Sequence, residues 1–201
     1  MKRYALTEIF YSLQGEGLRA GTAAVFVRFA GCNLACTKAI EGFDCDTDFS
    51  PKLRLTAKEI LEEVKKFSSV CRWIVLTGGE PTLQLDSNLV QILHEAGYFL
   101  AIETNGTKEL PATLDWVSVS PKPRTKIVVK CPDEIKVILS TGRKPPSLGD
   151  LPAAMNGRYL VSPAFSGQAI DVKALAWCIH LVKEDPIWRL SVQAHKQWGV
   201  R

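Results

Sequence analysis

Short apolar runs alternate with amphipathic stretches along most of the chain. The runs are short and rich in β-branched and aromatic residues, and most are followed directly by glycine, asparagine or serine, which is typical of buried strands. They cover residues 24–29, 73–77, 99–104, 116–119, 135–139, 159–161 and 189–192. Three stretches have apolar residues at helical spacing instead. The first begins at the capping box Thr56–Glu59, the second ends at Gly97, and the third follows Asp171 over about 172–183.

Strands that alternate with helices predict βαβ units and a parallel sheet. Seven strands share only three helices, so several connections must be irregular loops. We therefore expect an α/β fold with a truncated or open (β/α) barrel, a partial TIM barrel of about six parallel strands and three main helices, in a single domain over residues 1–201. Reactive groups in such barrels lie at the carboxyl ends of the strands. Six strand ends are expected to meet at one rim: 31–32, 77–80, 103–105, 120–122, 162–163 and 193–195.

Composition narrows the class without choosing a function. Of 201 residues, 46 % are hydrophobic and 23 % charged, which is typical of a globular protein and excludes a disordered or coiled-coil chain. Neither a run of about 18 apolar residues nor a signal-peptide h-region occurs, so we expect a cytoplasmic protein without a membrane span. The net charge of +4 suits an anionic small molecule or nucleic acid and requires neither.

The six cysteines are unevenly distributed. Cys32, Cys36 and Cys45 lie on one stretch directly after a predicted strand. Three thiolates can hold a soft metal or an iron–sulfur cluster, whereas structural zinc usually has four protein ligands. The spacing favours a 4Fe-4S cluster with one iron open for a ligand, and leaves zinc or three free thiols as alternatives. The other three, Cys71, Cys131 and Cys178, are expected to be packed core thiols.

Several motifs resemble those of the radical S-adenosylmethionine superfamily. They are the cysteine stretch, Leu76 to Pro81 (LTGGEP) and Ile102 to Gly106 (IETNG). Further segments resemble, in the same order, the 7-carboxy-7-deazaguanine synthase family: residues 10–17 (FYSLQGEG), 45–47 (CDT), 119–122 (VSPK) and 189–196 (RLSVQAHK). Two features depart from the family pattern. The cysteines are spaced C-x3-C-x8-C instead of the usual C-x3-C-x2-C, and Ser162-Pro163 stands where relatives often carry Gln-Pro.

The resemblance implies a reaction and its cofactors. It implies conversion of 6-carboxy-5,6,7,8-tetrahydropterin to 7-carboxy-7-deazaguanine with loss of ammonia, a step toward queuosine and related deazapurines. A 4Fe-4S cluster on Cys32, Cys36 and Cys45 would reduce S-adenosylmethionine, and the resulting 5′-deoxyadenosyl radical would remove a hydrogen atom from the pterin. S-adenosylmethionine would be regenerated each turn. A flavodoxin-like reductant and a homodimer are implied partners, and neither a membrane nor nucleic acid is one.

The resemblance also implies roles for individual residues. Mg²⁺ would bind Thr47 together with the substrate. No catalytic side chain beyond the cofactors is implied. His195 is either a proton donor or a packed residue. Glu103 and Asn105 are expected to line the same site as the cofactor. S-adenosylmethionine would contact Asp44, Cys45, Asp46, Gly79, Ser120, Pro121, Lys122, Ser162, Pro163, Ala164 and Phe165. The substrate would contact Leu13, Gln14, Gly15, Arg28, Thr77 and the α-carboxylate of Arg201.

Simpler interpretations stay open for these positions. Gly79 and residues 13–15 could form turns without a ligand, Arg28 a structural ion pair, Lys122 a surface charge, and Thr47 a hydroxyl bonded to backbone. Two other functions compete: another radical S-adenosylmethionine enzyme such as a glycyl-radical activase, or a zinc-stapled RNA-binding module. The second rests on four cations within residues 122–130, a stretch that lacks the aromatic residues on which single-stranded bases stack.

Overall fold

The structure is a computed structural model that describes residues 2–34, 36–37, 40, 42, 45, 48–166 and 169–201. Within these residues the strands are β1 (Tyr4–Leu13), β2 (Ala23–Phe29), β3 (Leu53–Leu55), β4 (Trp73–Gly78), β5 (Phe99–Thr104), β6 (Trp116–Val119), β7 (Glu134–Leu139), β8 (Tyr159–Pro163), β9 (Phe165–Ser166), β10 (Ala169–Ile170) and β11 (Trp188–Leu190). The helices are α1 (Ala57–Phe67), α2 (Ser87–Glu95), α3 (Val172–Glu184) and α4 (Ala194–Trp198).

The described strands other than the β9–β10 hairpin form a nine-stranded sheet in the order β11-β8-β7-β6-β5-β4-β2-β1-β3. Every neighbouring pair from β2 through β11 is parallel, while β1 pairs antiparallel with both β2 and β3. This mostly parallel sheet with few helices confirms the predicted open (β/α) barrel. Its parallel strands end on the same side, so the loops that follow them share one rim.

Two apolar clusters cover the two faces of the sheet. The larger one joins the outer face to the helices; α1 contributes Ile60 and Val64, both fully buried. The smaller one fills the inside of the barrel, where the rings of Phe10 and Phe26 stack 5.0 Å apart. Because side chains alternate along a strand, the parallel strands β2, β4 and β5 supply buried residues to both clusters.

The helices follow the predicted pattern. The predicted capping box is present at α1, since Thr56 Oγ1 accepts from Glu59 N and Glu59 Oε2 accepts from Thr56 N. Asp171 is a simple N-cap of α3, since its Oδ1 accepts from two backbone N–H groups. The connection between β7 and β8 carries no α-helix, and its Leu151 and Ala154 pack into the outer cluster instead. In the described part of the chain, none of the helices combines the length and apolar character needed to cross a bilayer.

The first strand, β1, was not predicted from the sequence. Its register shifts between Leu6 and Glu8, which marks an irregularity of the β-bulge type. The shift moves the apolar positions from one face to the other: Tyr4 and Leu6 belong to the outer cluster and Phe10 to the inner one. The hydrophobic alternation along the segment is therefore broken, which hid the strand.

The cysteines outside the stretch 32–45 behave in two ways. Cys71 and Cys178 are buried, as predicted. Cys131 is exposed, so the prediction of a packed thiol there was wrong. Its backbone has φ 49°, a left-handed conformation that belongs to a turn rather than to the apolar run that precedes it.

Asp86 should contribute measurably to stability as the N-cap of α2. Its carboxylate accepts from Leu89 N at 3.0 Å, Tyr4 Oη at 2.7 Å and Lys2 Nζ at 2.8 Å. Burial opposes ionisation, but these hydrogen bonds outweigh it and lower the pKa of Asp86. We expect Asp86→Ala to lower the free energy of unfolding by about 1–2 kcal/mol.

Urea denaturation of wild type, Asp86→Ala and Asp86→Asn at pH 7 tests this prediction. Asparagine keeps the capping oxygen, so it should lose less than alanine. A lowered folded-state pKa means that the carboxylate stabilises fully above its ordinary pKa. The difference between wild type and Asp86→Asn should therefore shrink as the pH falls through the folded pKa. An alanine variant as stable as wild type would contradict the assignment.

Candidate active site

Two adjoining cavities open at the carboxyl ends of the parallel strands. The larger has a volume of about 400 Å³ and the smaller about 180 Å³. Their common wall comes from the first connection, from two strand ends and from the segment before α4. It consists of Glu16, Thr77, Gly78, Glu103 and Gln193. A group bound in one cavity would therefore adjoin a group bound in the other.

The smaller cavity is lined by the three cysteines of the predicted cluster. Cys32 and Cys36 are partly buried and Cys45 is exposed. Cys32 Sγ accepts from Leu34 N at 3.4 Å, a hydrogen bond that also suits a thiolate, and burial raises the pKa of the Cys32 thiol. Within the described residues no three His, Cys, Asp or Glu side chains form a ready metal-binding group. The donor set is nevertheless soft and all-sulfur, which suits an iron–sulfur cluster.

Glycine is required where β4 meets the loop that leads to the cysteines. Gly79 N donates to Phe29 O at 3.0 Å, and a Cβ on Gly79 would lie 1.9 Å from the carbonyl oxygen of Gly31. Gly79 also lines the smaller cavity. The close approach of two backbones thus requires glycine here whether or not a ligand binds. A tight turn without a ligand and a contact with S-adenosylmethionine are both compatible with this geometry.

Glu80, the next residue, is fully buried and ties two strand ends together. Its Oε1 accepts from Thr82 N at 3.1 Å, Thr82 Oγ1 at 2.6 Å and Thr104 Oγ1 at 2.7 Å. Its Oε2 accepts from Asn105 N at 2.8 Å. Asn105 Nδ2 in turn donates to Asn33 Oδ1, beside Cys32. Glu80 is therefore structural, and it holds the β4, β5 and cysteine loops in a fixed relation.

The residues predicted to contact S-adenosylmethionine fall into three groups. Ser120 and Lys122 line the smaller cavity, with Lys122 Nζ 2.9 Å from Ser120 Oγ, while Pro121 between them is buried. Among the described lining residues of either cavity, none comes from the segment Ser162 to Phe165 at the end of β8. Asp44, Asp46 and the predicted magnesium ligand Thr47 lie outside the described residues.

The larger cavity gathers every residue predicted to contact the substrate: Leu13, Gln14, Gly15, Arg28, Thr77 and Arg201. Glu103 links two of them, since its carboxylate accepts from Gln14 Nε2 at 2.9 Å and from Thr77 Oγ1 at 2.7 Å. These bonds fix the turn after β1 against the ends of β4 and β5.

The mouth of the larger cavity carries two guanidinium groups around one carboxylate. Arg28 Nε lies 3.6 Å from Glu8 Oε1, and the Arg201 guanidinium bonds to Glu8 Oε2. Ser12 Oγ also donates to the main-chain oxygen of Arg201 at 2.5 Å. Among the residues that the structure describes, the buried Arg28 Nε finds no hydrogen-bond partner of adequate geometry. Arg28 therefore takes part in an ion pair with Glu8, as the simpler interpretation expects, and it also has a donor that could bind an anion.

His195 belongs to α4, not to the end of a strand as the sequence suggested. Its ring packs on Gly15, where a Cβ would lie 2.2 Å from His195 Nδ1. Burial lowers the pKa of His195, and the nearby Glu16 opposes this effect only in part. A neutral, packed imidazole therefore faces the larger cavity.

Sequence reasoning missed three charged residues of the site. Glu8 and Glu16 lie on or just after β1, and Lys136 lies on β7. Glu16 is part of the LQGEG motif, but its partner Lys136 is 120 positions away. Only the strand register could have indicated Lys136, since it alternates with the outer-facing Ile135 and Val137.

Comparison with known proteins agrees with this geometry. Residues 13–107 match a family described as a 4Fe-4S single cluster domain. The chain is 41 % identical to the 7-carboxy-7-deazaguanine synthase of Bacteroides thetaiotaomicron over 98 % of both chains, and 39 % identical to that of Burkholderia multivorans over 98 % of this chain and 99 % of the relative. A crystal structure of QueE from Escherichia coli superimposes with a TM-score of 0.71 and 26 % identity, covering 96 % of this chain and 95 % of that one.

Fold, cysteine cavity and comparisons together define a radical S-adenosylmethionine enzyme, a lyase whose cofactors are a 4Fe-4S cluster and S-adenosylmethionine. The likeness to several relatives extends over nearly their whole length. The chain belongs to the 7-carboxy-7-deazaguanine synthase family.

Proposed function

We propose that the chain converts 6-carboxy-5,6,7,8-tetrahydropterin to 7-carboxy-7-deazaguanine with loss of ammonia. One observation carries the proposal beyond family membership. The cavity lined by the three cysteines shares a wall with a cavity lined by two guanidinium groups and the LQG turn. A cofactor that generates a radical and an anionic substrate would be neighbours in this arrangement.

The smaller cavity suits the cofactors by its donor set. Cys32, Cys36 and Cys45 would hold the cluster, while Gly79, Ser120, Pro121 and Lys122 would contact S-adenosylmethionine. When bound, the two cofactors together supply a carbon-centred radical that takes a hydrogen atom from the substrate. The protein's own task is to hold both molecules and exclude water. The fixed groups around the cavity keep the reacting atoms aligned.

The larger cavity suits a carboxylated pterin. Arg28 and Arg201 would face the substrate carboxylate, and charge-assisted bonds from a guanidinium are the strong kind. Gln14 and Glu103 present amide and carboxylate groups to the polar edge of a pterin, with Leu13, Gly15 and Thr77 beside them. Glu8 occupies the guanidinium groups here, and the substrate carboxylate would replace or join it.

Other parts of the proposal rest on the family likeness. Mg²⁺ would bind Thr47 with the substrate, since a hard cation that keeps its waters suits one hydroxyl ligand. S-adenosylmethionine would also touch Asp44, Asp46 and the segment 162–165. We further propose a flavodoxin-like electron donor, a homodimer, and a place in the cytoplasm for this enzyme.

Anaerobic turnover of the reconstituted protein tests the function. With S-adenosylmethionine, dithionite and the carboxylated tetrahydropterin, we expect equimolar 7-carboxy-7-deazaguanine and ammonia by liquid chromatography and enzymatic ammonia assay. Protein with a full cluster that forms neither product would contradict the proposal. Protein that instead installs a radical on a glycine-containing protein would support the activase alternative.

Arg28→Gln should raise the KM for the pterin by about 30- to 100-fold, because it replaces a charged guanidinium by a shorter, neutral amide. The matched control is Arg54→Gln, on the exposed strand β3. Initial-rate kinetics at saturating S-adenosylmethionine measure the change. An unaltered KM in Arg28→Gln would show that the ion pair with Glu8 is this arginine's whole role.

A further inference from the structure

A buried ion pair crosses the barrel at the common wall of the two cavities, to which Glu16 belongs. The Lys136 ammonium bonds to Glu16 Oε2, with side chains only 6 % and 15 % exposed. Glu16 Oε1 accepts a second bond, from Gln193 Nε2 at 2.8 Å. Burial alone would raise the pKa of Glu16 and lower that of Lys136, but their mutual attraction reverses both directions. Both groups are therefore charged.

Stability alone does not explain such a pair. Removing two charges from water is expensive, and a well-packed apolar pair of similar volume is often as stable or more so. What the ion pair adds is a defined geometry between the two segments that carry it, since a hydrogen-bonded ammonium and carboxylate favour a narrow range of separations and orientations. The neighbouring inward carboxylates Glu103 and Glu134 also face Lys136 electrostatically, so the single lysine balances several acids.

The pair joins the two parts of the chain whose relative position matters for hydrogen transfer. Glu16 directly follows the LQG turn, lines both cavities, and its N–H donates to Gln14 Oε1 at 3.0 Å. Lys136 belongs to β7 and lines the smaller cavity only. β7 and β1 are five strands apart in an open sheet, so the sheet's own hydrogen bonds do not fix the gap between them.

Two backbone bonds support the same bridge. Leu18 N donates to Glu134 Oε2 at 2.8 Å, and Gly17 N donates to Ser191 Oγ at 2.9 Å. The first connection is thus held against β7 and the end of β11 at several points. Of the residues that make these contacts, only Glu16 and its partner Gln193 line both cavities.

We propose that Glu16 and Lys136 are positioning residues that set the distance between the substrate held by the LQG turn and the cofactor in the smaller cavity. The inference rests on the proposed function. Radical transfer needs the reacting atoms at about 3–3.5 Å, and a displacement of about 1 Å is enough to reduce a rate about 100-fold. A loosened bridge would leave radicals formed but not transferred to the pterin.

The direct readout is the number of 5′-deoxyadenosine molecules released per product molecule at saturating pterin. This ratio is independent of how much protein is folded. We expect it to rise at least about tenfold in Lys136→Met and in the double variant Glu16→Leu/Lys136→Met, following the loss of alignment. Lys58→Met, on the exposed face of α1, is the matched control and should keep the wild-type ratio.

Two further measurements distinguish positioning from folding. The double variant should unfold at a temperature near that of wild type, because an apolar pair replaces a costly buried one. The cluster-free Lys136→Met variant should bind the pterin, followed by tryptophan fluorescence, within about threefold of wild type, since Lys136 lines the smaller cavity only. Gln193→Ala keeps both charges and should raise the ratio about threefold, a prediction that holds even if the charge variants do not fold.

The possible results of these measurements distinguish a failure of the positioning role from a failure of the proposed function. Suppose that the wild type forms product and the double variant keeps the wild-type ratio. The positioning role is then wrong and the proposed function stands. If the double variant does not fold, Gln193→Ala takes its place in this test. If pterin affinity falls by the same factor as the ratio rises, the pair shapes the pocket and does not set the distance, which also overturns the inference. A wild type without product contradicts the proposed function itself.

Discussion

Replacing Cys32 by alanine should remove the cluster and lower product formation by at least about 1,000-fold. Three soft ligands line the smaller cavity, and iron–sulfur clusters are held by such thiolates. Two remaining cysteines do not provide the set of three that leaves one iron open. The cluster would supply the electron that starts the reaction, and a loss of this size corresponds to at least about 4 kcal/mol of activation free energy. Cys36→Ala and Cys45→Ala should behave in the same way.

Iron and sulfide content after anaerobic reconstitution measure the effect, together with the charge-transfer absorption of the cluster. Cys131→Ser is the matched control, since its thiol is exposed and outside both cavities. It should keep full iron content and activity. A Cys36 variant with a complete cluster would show that the long spacing between Cys36 and Cys45 has changed the ligand set.

Replacing Glu80 by leucine should destabilise the cluster-free protein by about 3–5 kcal/mol. The side chain is fully buried and accepts four hydrogen bonds from Thr82, Thr104 and Asn105. Leucine has a similar size but no acceptor, so the backbone N–H groups would remain buried without partners at about 1–3 kcal/mol each. The large effect belongs to the class of mutations that break a buried polar network.

Urea denaturation of the cluster-free protein isolates this effect from cofactor binding, which would add its own stabilisation. Glu80→Gln keeps one acceptor oxygen and should lose clearly less than leucine. Thr104→Val, which removes a single hydroxyl donor, should lose about 1 kcal/mol. If Glu80→Leu unfolded at the wild-type urea concentration, the structural role given to Glu80 would be wrong.

The sequence predicted much of the fold because its signals were local. The capping box of α1 and the buried runs of β4 to β6 depend on residues close in sequence, and they form as predicted. β1 was missed because the irregularity at Leu6–Glu8 breaks its alternation. The turn at Cys131 follows from a backbone conformation that no hydrophobic pattern indicates.

The same distinction between local and long-range signals applies to the site residues. The predicted substrate residues 13–15 and Thr77 belong to recognisable motifs at the ends of β1 and β4, and they share one cavity with Arg28 and Arg201. Lys136 could not be found in this way, since an isolated lysine in an apolar strand gains its meaning only from Glu16 across the barrel. His195 was assigned to a strand end because it follows the predicted strand 189–192, whereas the chain turns into α4 after Gln193. The segment 162–165 shows the converse, a strand end outside both cavities.

The common wall also couples the two cavities. Glu103 and Thr77 belong to neighbouring parallel strands and line both cavities, so a change at either alters both sites at once. The alternative of an RNA-binding module has less support, because its basic segment begins with Lys122, which lines the smaller cavity.

Electron paramagnetic resonance of the reduced, reconstituted protein tests the central claim most directly. If three cysteines hold a cluster with one open iron, adding S-adenosylmethionine should change the g values and line shape of its signal, because a new ligand reaches that iron. The change should be absent in Cys32→Ala, which holds no such cluster. A wild-type signal that stays the same with and without S-adenosylmethionine would contradict the account.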